Sequence, residues 1–307
     1  MFGSKTSTTD PALEAYLAQA RARVDAVLEA WGVRADQWWR APVPAAMRYS
    51  LLSTGKRLRP TLVFAAAESV GGTADAVAEL AAAVEVVHAY SLVHDDLPCM
   101  DNDDLRRGRP TTHRAFDVPT AVAAGYHMVA LAARVLDAGL TRLALGPETG
   151  RGIALELFRA AGAGGMIGGQ ALDLEAEGRW LPPRELEDVH RRKTGALISA
   201  ACVIGAMAAG APAATCEALR GYGADVGLAF QIYDDVLDVT ATSDQLGKTA
   251  GKDAAGGKST FITLLGAVAA RAEAERLAAR AVDRLRNAGL VSPTLAGLAR
   301  YIVTRPN

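Results

Sequence analysis

The sequence predicts an all-α protein of 307 residues. Apolar residues recur at spacings of three and four along most of the chain, which is the period of a helix face. The alternation of apolar and polar residues that marks a half-buried strand is nearly absent, and no strand pair is predicted. No repeat of fixed period and no low-complexity linker divides the chain. We therefore expect residues 1–307 to form a single helical domain.

The helices can be placed in order along the chain. The first begins at Asp10 and Pro11, an N-cap followed by proline at the first helical position. The same apolar period marks residues 59–70, 78–93, 186–209, 227–239 and 269–289. Glycine and proline predict loops at residues 40–44, 146–152, 177–183 and 242–257. The glycine-rich residues 162–169 fit either a loop or closely packed helices.

Charge and cysteine content exclude some functions. The formal net charge of −1 argues against nucleic-acid binding and against a polybasic membrane patch. Three cysteines without a CxxC motif, and an N-terminus without a signal-peptide pattern, favour a reducing, cytoplasmic location. Residues 194–216 carry no charge and are long enough to span a bilayer. Their alanine and glycine content, with Pro212 near the end, favours a buried core helix and no stable membrane insertion.

The segment HDDLPCMDNDDLRRG, residues 94–108, combines many aspartates with two arginines. Pro98 disfavours helical geometry at Leu97, so a helix carrying Asp95 should end there and leave Asp101 just beyond it. Carboxylates gathered at a helix C-terminus repel one another unless a cation joins them, and hard oxygen ligands favour Mg²⁺. The calcium-loop pattern fails, since its glycine position holds Arg106. A solvated acidic turn remains the alternative for this segment alone.

A second acidic cluster weakens that alternative. Asp234 and Asp238 are four residues apart and share one face of a helix whose neighbouring residues are apolar. Carboxylates on a mostly buried helix need partners. Two such clusters facing one cavity would hold several Mg²⁺ ions, and a diphosphate is the ligand that requires them.

Basic residues recur in four short segments and could bind that anion. They are Lys56, Arg57, Arg59, Arg106, Arg107, Lys193, Lys248, Lys252 and Lys258. Taken singly, each is better explained as a solvated surface charge. Residues 251–259 also imitate a phosphate-binding P-loop, but the glycine spacing is one residue too long and no strand precedes it.

These motifs, in this order, resemble the trans-isoprenyl diphosphate synthases (polyprenyl synthetases). The segments GKRLRP, HAYSLVHDDLPCMDNDDLRRGRPT, GGQALDLEAEG, HRRKTGAL, GLAFQIYDDVLD and LGKTAGKDAAGGKST look like that family's landmarks. The likeness runs from about residue 51 to the C-terminus and is nearest to the bacterial farnesyl diphosphate synthases, whose first motif also has two extra residues. It implies an isoprenoid-synthase-type helical bundle around a central cavity, working as a homodimer.

The resemblance also implies residue roles. The Mg²⁺ ligands, three ions to a site, would be Asp95, Asp101 and Asp234, with support from Asp96, Asp235 and Asp238. The allylic diphosphate would be held by Arg106, Lys193, Lys248 and Lys258, and Thr194 and Gln231 would lie near the allylic cation. The pocket for isopentenyl diphosphate would contain Lys56, Arg59, His88 and Arg107. His88 lies two helical turns before Asp95 on the same face, although a lone histidine there also fits a core residue.

Product length depends on Tyr90, by the same resemblance. It lies five residues before Asp95, about 7.5 Å along the helix axis, and would form an aromatic floor that gives farnesyl diphosphate. The alternative is that Tyr90 faces a helix interface and sets nothing. Tyr126 and His127 depart from the family's Ala-Gly-Asp stretch, and Ala133 replaces a common aromatic, which predicts a wider cavity there. Thr54 replaces a usual glycine.

Other functions stay open at this point. A geranylgeranyl or geranyl diphosphate synthase differs only in product length. A terpene cyclase would not need Lys56, Arg59, His88 and Arg107, and a non-catalytic partner subunit should have lost aspartates from one motif.

Overall fold

The computed structural model describes residues 10–240 and 259–305, and these residues are almost entirely helical. The first eight helices are α1 Pro11–Arg34, α2 Val43–Leu51, α3 Leu58–Ser69, α4 Ala78–Asp95, α5 Thr112–Ala115, α6 Val118–Leu143, α7 Pro147–Ala161 and α8 Met166–Glu175. The remaining ones are α9 Pro183–His190, α10 Ala196–Ala208, α11 Ala213–Thr240, α12 Phe261–Leu265, α13 Ala267–Asn287 and α14 Pro293–Ile302. A 3₁₀ turn covers Ala35–Gln37, and a π-helical turn, Arg191–Gly195, joins α9 to α10.

Local sequence explains where several helices begin. The Asp10 side chain accepts a hydrogen bond from the Ala12 amide at 3.0 Å, and Pro11 occupies the first helical position, as predicted. Asp117 caps α6 in the same way through the Thr120 amide at 2.7 Å. These caps satisfy amides that have no partner inside the helix.

The core surrounds α4, which is buried along most of its length. Helix α4 packs against α3 on one side and α6 on another, while α10 packs against α3, α7 and α11. Helices α4 and α6 run antiparallel, since Gly125 of α6 lies against His94 and Gly139 lies against Leu80. This layer of helices leaves a cavity between α4, α6, α7, α8 and α11. The predicted all-α bundle around a central cavity is confirmed.

The predicted helices are present, including the buried core helix in residues 194–216, which is α10. Among the described residues, α6 is the helix long and apolar enough, by length and composition, to cross a membrane. Residues 162–169 form both a loop and a close helix contact, the two interpretations that the sequence left open. A turn ends at Gly165, and α8 then approaches the π-turn so closely that a Cβ on Gly169 would lie 2.1 Å from the Lys193 amide nitrogen.

Two local predictions were wrong. Residues 146–152 form the start of α7 and not a loop, because Gly146 precedes the helix and Pro147 takes its first position, where proline is tolerated. A two-residue antiparallel hairpin, Leu105–Arg106 with Arg109–Pro110, was not foreseen. It is too short for any alternation of apolar residues to show in the sequence.

Candidate functional site

A cavity of about 740 Å³ lies at the centre of the bundle. Helices α4 and α11 line opposite sides of it, and α6, α7, α8 and the π-turn complete the wall. We call the part near Asp95 the acidic end and the part near Tyr90, about 7.5 Å earlier along α4, the apolar end; Phe158, Met166 and Val129 also line the cavity. The cavity therefore offers both polar and apolar side chains to a single elongated ligand.

The two acidic clusters meet in this cavity, as predicted. Asp95 and Asp101 come from the end of α4, and Asp234 and Asp238 come from α11. The chain turns back after Asp95, so that the Asp101 amide donates to the Asp95 carbonyl at 2.8 Å. Burial raises the pKa of Asp95 to about 7; the nearby Lys193 lowers this pKa, and the Asp101 charge raises it further. Burial is the main cause of this raised pKa, so a cation bound beside Asp95 would favour its ionised form.

The other aspartates hold the site in place. Asp96 is buried and accepts from Arg106, whose Nε lies 3.0 Å from Oδ1, so Arg106 braces the first cluster while also lining the cavity. Asp235 accepts from the Phe261 amide at 3.0 Å and so joins α11 to the start of α12. The supporting role predicted for Asp96 and Asp235 agrees with these contacts. Asp104, unassigned from sequence, pairs with Arg114 at 2.6 Å on the surface.

A second group of cations comes from the residues around the start of α3 and from Arg107. Arg59 and His88 line the cavity. Burial lowers the pKa of Arg59 to about 10, with a further decrease from Arg107, while Glu85 and Asp234 raise it. Burial and then the Arg305 charge lower the pKa of Lys56 to about 8, and Arg107 acts in the same direction. The positive charges of these side chains repel one another, which lowers their pKa values. A bound anion would relieve this repulsion, so the cluster is suited to an anion.

The loop before α3 holds these cations in position. The Arg107 guanidinium lies over Gly55, where a Cβ would come within 2.5 Å of Nη1, and donates to the Ser53 hydroxyl at 3.3 Å. A residue other than glycine at position 55 would displace Arg107. Thr54 is exposed, so its departure from the family pattern does not reach the cavity.

The π-turn Arg191–Gly195 brings two consecutive side chains to the cavity. Lys193 and Thr194 both line it, and wide π-turns recur at functional sites. Lys193 Nζ lies 2.7 Å from Asp173 Oδ2. Thr194 Oγ1 donates to Gln231 Oε1 at 3.0 Å, which places these two predicted polar groups together beside the acidic end.

Three predicted basic residues, Lys248, Lys252 and Lys258, and the predicted loop at residues 242–257 lie outside the described part of the chain. The next residues, Ser259 and Thr260, line the cavity.

Tyr90 lines the cavity, and its role as a floor stays a prediction. Tyr126 also lines the cavity, from α6. His127 instead stacks on Trp39, with ring centroids 5.1 Å apart. The predicted widening at Ala133 was wrong, because this residue lies on the exposed face of α6 and not in the cavity wall.

Sequence reasoning missed three site residues. Gln170 and Asp173 of α8 line the cavity, and their three-residue spacing within GGQALDLEAEG was an available signal. Arg305, near the C-terminus, is buried, contacts Asp234 and lies 4.3 Å over the Phe230 ring. No local pattern marks Arg305, since its partners are distant in sequence.

The acidic end fits a hard divalent cation such as Mg²⁺. Its side-chain donors are carboxylate oxygens, and a bound cation would offset the burial that raises the pKa of Asp95. Within residues 10–240 and 259–305, no three His, Cys, Asp or Glu side chains are close enough to hold one ion. Each ion would therefore take one or two protein carboxylates and complete its shell with water and phosphate oxygens, which is usual for Mg²⁺.

Comparisons with known proteins agree with this geometry. The polyprenyl synthetase family model matches residues 41–290. The farnesyl diphosphate synthase of Escherichia coli (strain K12) is 45% identical over 269 residues, covering 86% of this chain and 89% of that protein. The heterodimeric geranylgeranyl pyrophosphate synthase large subunit 1, chloroplastic, of Arabidopsis thaliana is 44% identical over 267 residues, covering 85% and 72%. The crystal structure of geranyltransferase from Helicobacter pylori complexed with magnesium and isoprenyl diphosphate aligns with a TM-score of 0.80 at 30% identity, covering 97% of this chain and 98% of that one.

Proposed function

Because the chain belongs to the polyprenyl synthetase family, we propose that it is a short-chain trans-prenyltransferase. It joins isopentenyl diphosphate to dimethylallyl diphosphate and then to geranyl diphosphate, and the product is farnesyl diphosphate. One observation carries the proposal: a single cavity is lined by aspartates from α4 and α11, by the cations Arg59, Arg106 and Lys193, and by Tyr90 on the helix that carries Asp95.

The acidic end receives the allylic diphosphate. Asp95, Asp101 and Asp234 would hold Mg²⁺, three ions to a site, with Asp238 beside them. When bound, Mg²⁺ neutralises the diphosphate so that it can leave. Lys193 and Arg106 line the same end and add positive charge at the phosphate oxygens.

The cationic side receives isopentenyl diphosphate. Lys56, Arg59 and Arg107 surround this position, and a bound diphosphate would raise their lowered pKa values towards the ordinary range. Burial and the charges of Arg59 and Arg107 hold the pKa of His88 well below its usual range, so His88 acts as a neutral hydrogen-bonding group.

The reaction then proceeds without an enzyme nucleophile. The allylic C–O bond breaks, and the electron pair stays on the departing diphosphate. The double bond of isopentenyl diphosphate attacks the allylic cation, a C–C bond forms, and the diphosphate takes the proton that is lost. The Thr194 hydroxyl and the Gln231 amide lie near the cation and direct oxygen atoms towards its charge, while the apolar walls exclude water.

Product length is proposed to follow from Tyr90. Its ring lies at the apolar end of the cavity, on the helix that also carries Asp95. The second candidate is a geranylgeranyl diphosphate synthase, which the names of plant relatives at 44% identity favour. A cyclase or a non-catalytic partner is disfavoured because the cationic cluster and both aspartate clusters are all retained.

Incubation with Mg²⁺, isopentenyl diphosphate and each allylic diphosphate in turn, followed by product sizing, tests this proposal. Farnesyl diphosphate as the main product from geranyl diphosphate is expected. A geranylgeranyl product would favour the second candidate, and absence of any condensation would refute both.

We also propose that the enzyme is a single-domain, cytoplasmic homodimer. The exposed apolar residues Tyr126 and Val129 on α6 support a second copy as the occupant of this face. The three cysteines are free, which is compatible with a reducing compartment. Light scattering after size-exclusion chromatography should give twice the mass of the chain, and the mass of one chain would contradict the dimer.

A further inference from the structure

Tyr126 lies in the cavity wall although its side chain is largely exposed. It belongs to α6, lines the cavity and is 66% exposed. Val129, one turn further along α6, and Ile167 of α8 line the same stretch and are also exposed. The wall is therefore one side chain thick here, with solvent on its outer side in the single chain.

The Tyr126 ring is fixed by an aromatic contact with α4. It packs edge-on against His94, with ring centroids 5.4 Å apart, and His94 packs edge-on against Tyr90 at 6.0 Å. His94 Nε2 lies 3.2 Å from the Val122 carbonyl oxygen, so this ring is held between α4 and α6. The space for it exists because residue 125 is glycine: a Cβ there would come within 2.0 Å of His94 Nε2. Tyr126, His94 and Tyr90 therefore form a continuous aromatic wall.

Tyr126 lies between the acidic end and the floor. Since Gly125 faces His94 in the antiparallel pair, Tyr126 is level with Val93, and Val129 is level with Tyr90. Tyr126 is thus about 4.5 Å, or three helical residues, nearer to Asp95 than Tyr90 is. A prenyl chain that grows from the acidic end towards the floor passes the Tyr126 ring before it reaches Tyr90.

We propose that Tyr126 is a second specificity-determining residue, which closes the gap between α4 and α6 and keeps the growing chain directed at Tyr90. This inference rests on the proposed prenyltransferase function. Without the ring, the gap beside His94 opens towards Val129, so the chain can lengthen past the floor while Tyr90 is intact. The aromatic ring of Tyr126, and not its hydroxyl, closes the gap, since Tyr126 contacts His94 through its ring.

The experiment compares products of the wild type with Tyr126→Ala, Tyr126→Leu, Tyr126→Phe and the matched control His127→Ala, which alters the adjacent residue outside the cavity. Tyr126→Leu keeps an apolar side chain on α6 and serves if Tyr126→Ala does not fold. We expect the Ala and Leu variants to raise the ratio of C20 to C15 product by about tenfold, the lower end of what one pocket contact gives. The Phe and His127→Ala variants should match the wild type. An unchanged ratio in both ring-less variants overturns the inference.

A binding measurement separates this inference from the proposed function. Calorimetry with Mg²⁺ and the non-ionising geranyl and geranylgeranyl S-thiolodiphosphates requires no turnover. Removing the Tyr126 ring should improve the relative affinity for the longer analogue by about tenfold. If the wild type condenses no substrate, the proposed function fails, and the binding ratio still decides the role of Tyr126. An unchanged binding ratio refutes that role, whatever the activity.

Discussion

The buried Arg57 side chain determines whether the cationic cluster can form. Its guanidinium donates to Glu85 Oε1 at 2.8 Å, to Asp25 Oδ1 at 2.8 Å and to the Leu51 and Ser53 carbonyl oxygens at 2.7 and 3.0 Å. Glu85 lies on α4 and is only 2% exposed, so Arg57 fastens the loop before α3 to the central helix. Lys56 and Arg59 flank Arg57 in this loop and the start of α3.

Arg57→Ala should therefore reduce both stability and substrate binding. It leaves Glu85 as a buried carboxylate without its cation, and losing one partner of a buried ion pair costs about 3–5 kcal/mol of unfolding free energy. The loop carbonyls also lose their donor. We expect the KM for isopentenyl diphosphate to rise about tenfold as Lys56 and Arg59 lose their positions, with a smaller change in the KM for geranyl diphosphate.

Urea unfolding followed by circular dichroism measures the first effect, and steady-state kinetics measure the second. The double variant Arg57→Met, Glu85→Leu removes both charges of this pair and should regain part of the lost stability, but not all, because the buried Arg59 also loses the favourable charge of Glu85. Its KM for isopentenyl diphosphate should stay high, since the loop is still not fastened. An Arg57→Ala protein within about 1 kcal/mol of the wild type, as for an exposed pair, would refute the reasoning.

Three further outcomes can be measured. Tyr90→Ala should shift the main product from C15 to C20, because Val87, about 4.5 Å further along α4, becomes the end of the cavity. Tyr90→Phe should keep the C15 product, and an unchanged product from Tyr90→Ala would contradict the proposed floor. Because the pKa of Lys56 is lowered to about 8, its charge is lost as pH rises through 8, so kcat/KM for isopentenyl diphosphate should fall there. Lys56→Arg should move this fall to higher pH, and a wild-type profile that is flat from pH 7 to about 9 would count against the assignment. Asp234→Ala, or chelation of Mg²⁺, should lower kcat about a thousandfold, whereas the surface variant Asp104→Ala should have little effect. Full activity in excess chelator would exclude a role for Mg²⁺.

The sequence predicts the metal side of the site better than its walls. Asp95 and Asp234 stand out because carboxylates among apolar helical residues need a cation, and that conflict is visible locally. Ala133 could not be placed, because whether a residue of α6 faces the cavity depends on how α6 is rotated against α4. Arg305 was missed since its contact with Asp234 joins residues far apart in the chain.

The fold likewise divides into features that the local sequence predicts and features that depend on packing between helices. Long helices such as α4 and α13 show their period over many turns and were predicted, whereas the start of α7 was not. Its glycine and proline favour both a loop and a helix start, and only the packing of α7 against α10 decides between them.

Helix α4 carries Asp95 at one end and Tyr90 five residues earlier, so under the proposed roles one rigid helix would set the distance between the reacting carbon and the end of the product. Inserting or deleting one residue between them would rotate everything beyond it by about 100° and turn either the aspartate or the tyrosine away from the cavity. Under the proposed roles, exchanging side chains at fixed positions along α4, in steps of about one helical turn, would change product length without disturbing this alignment.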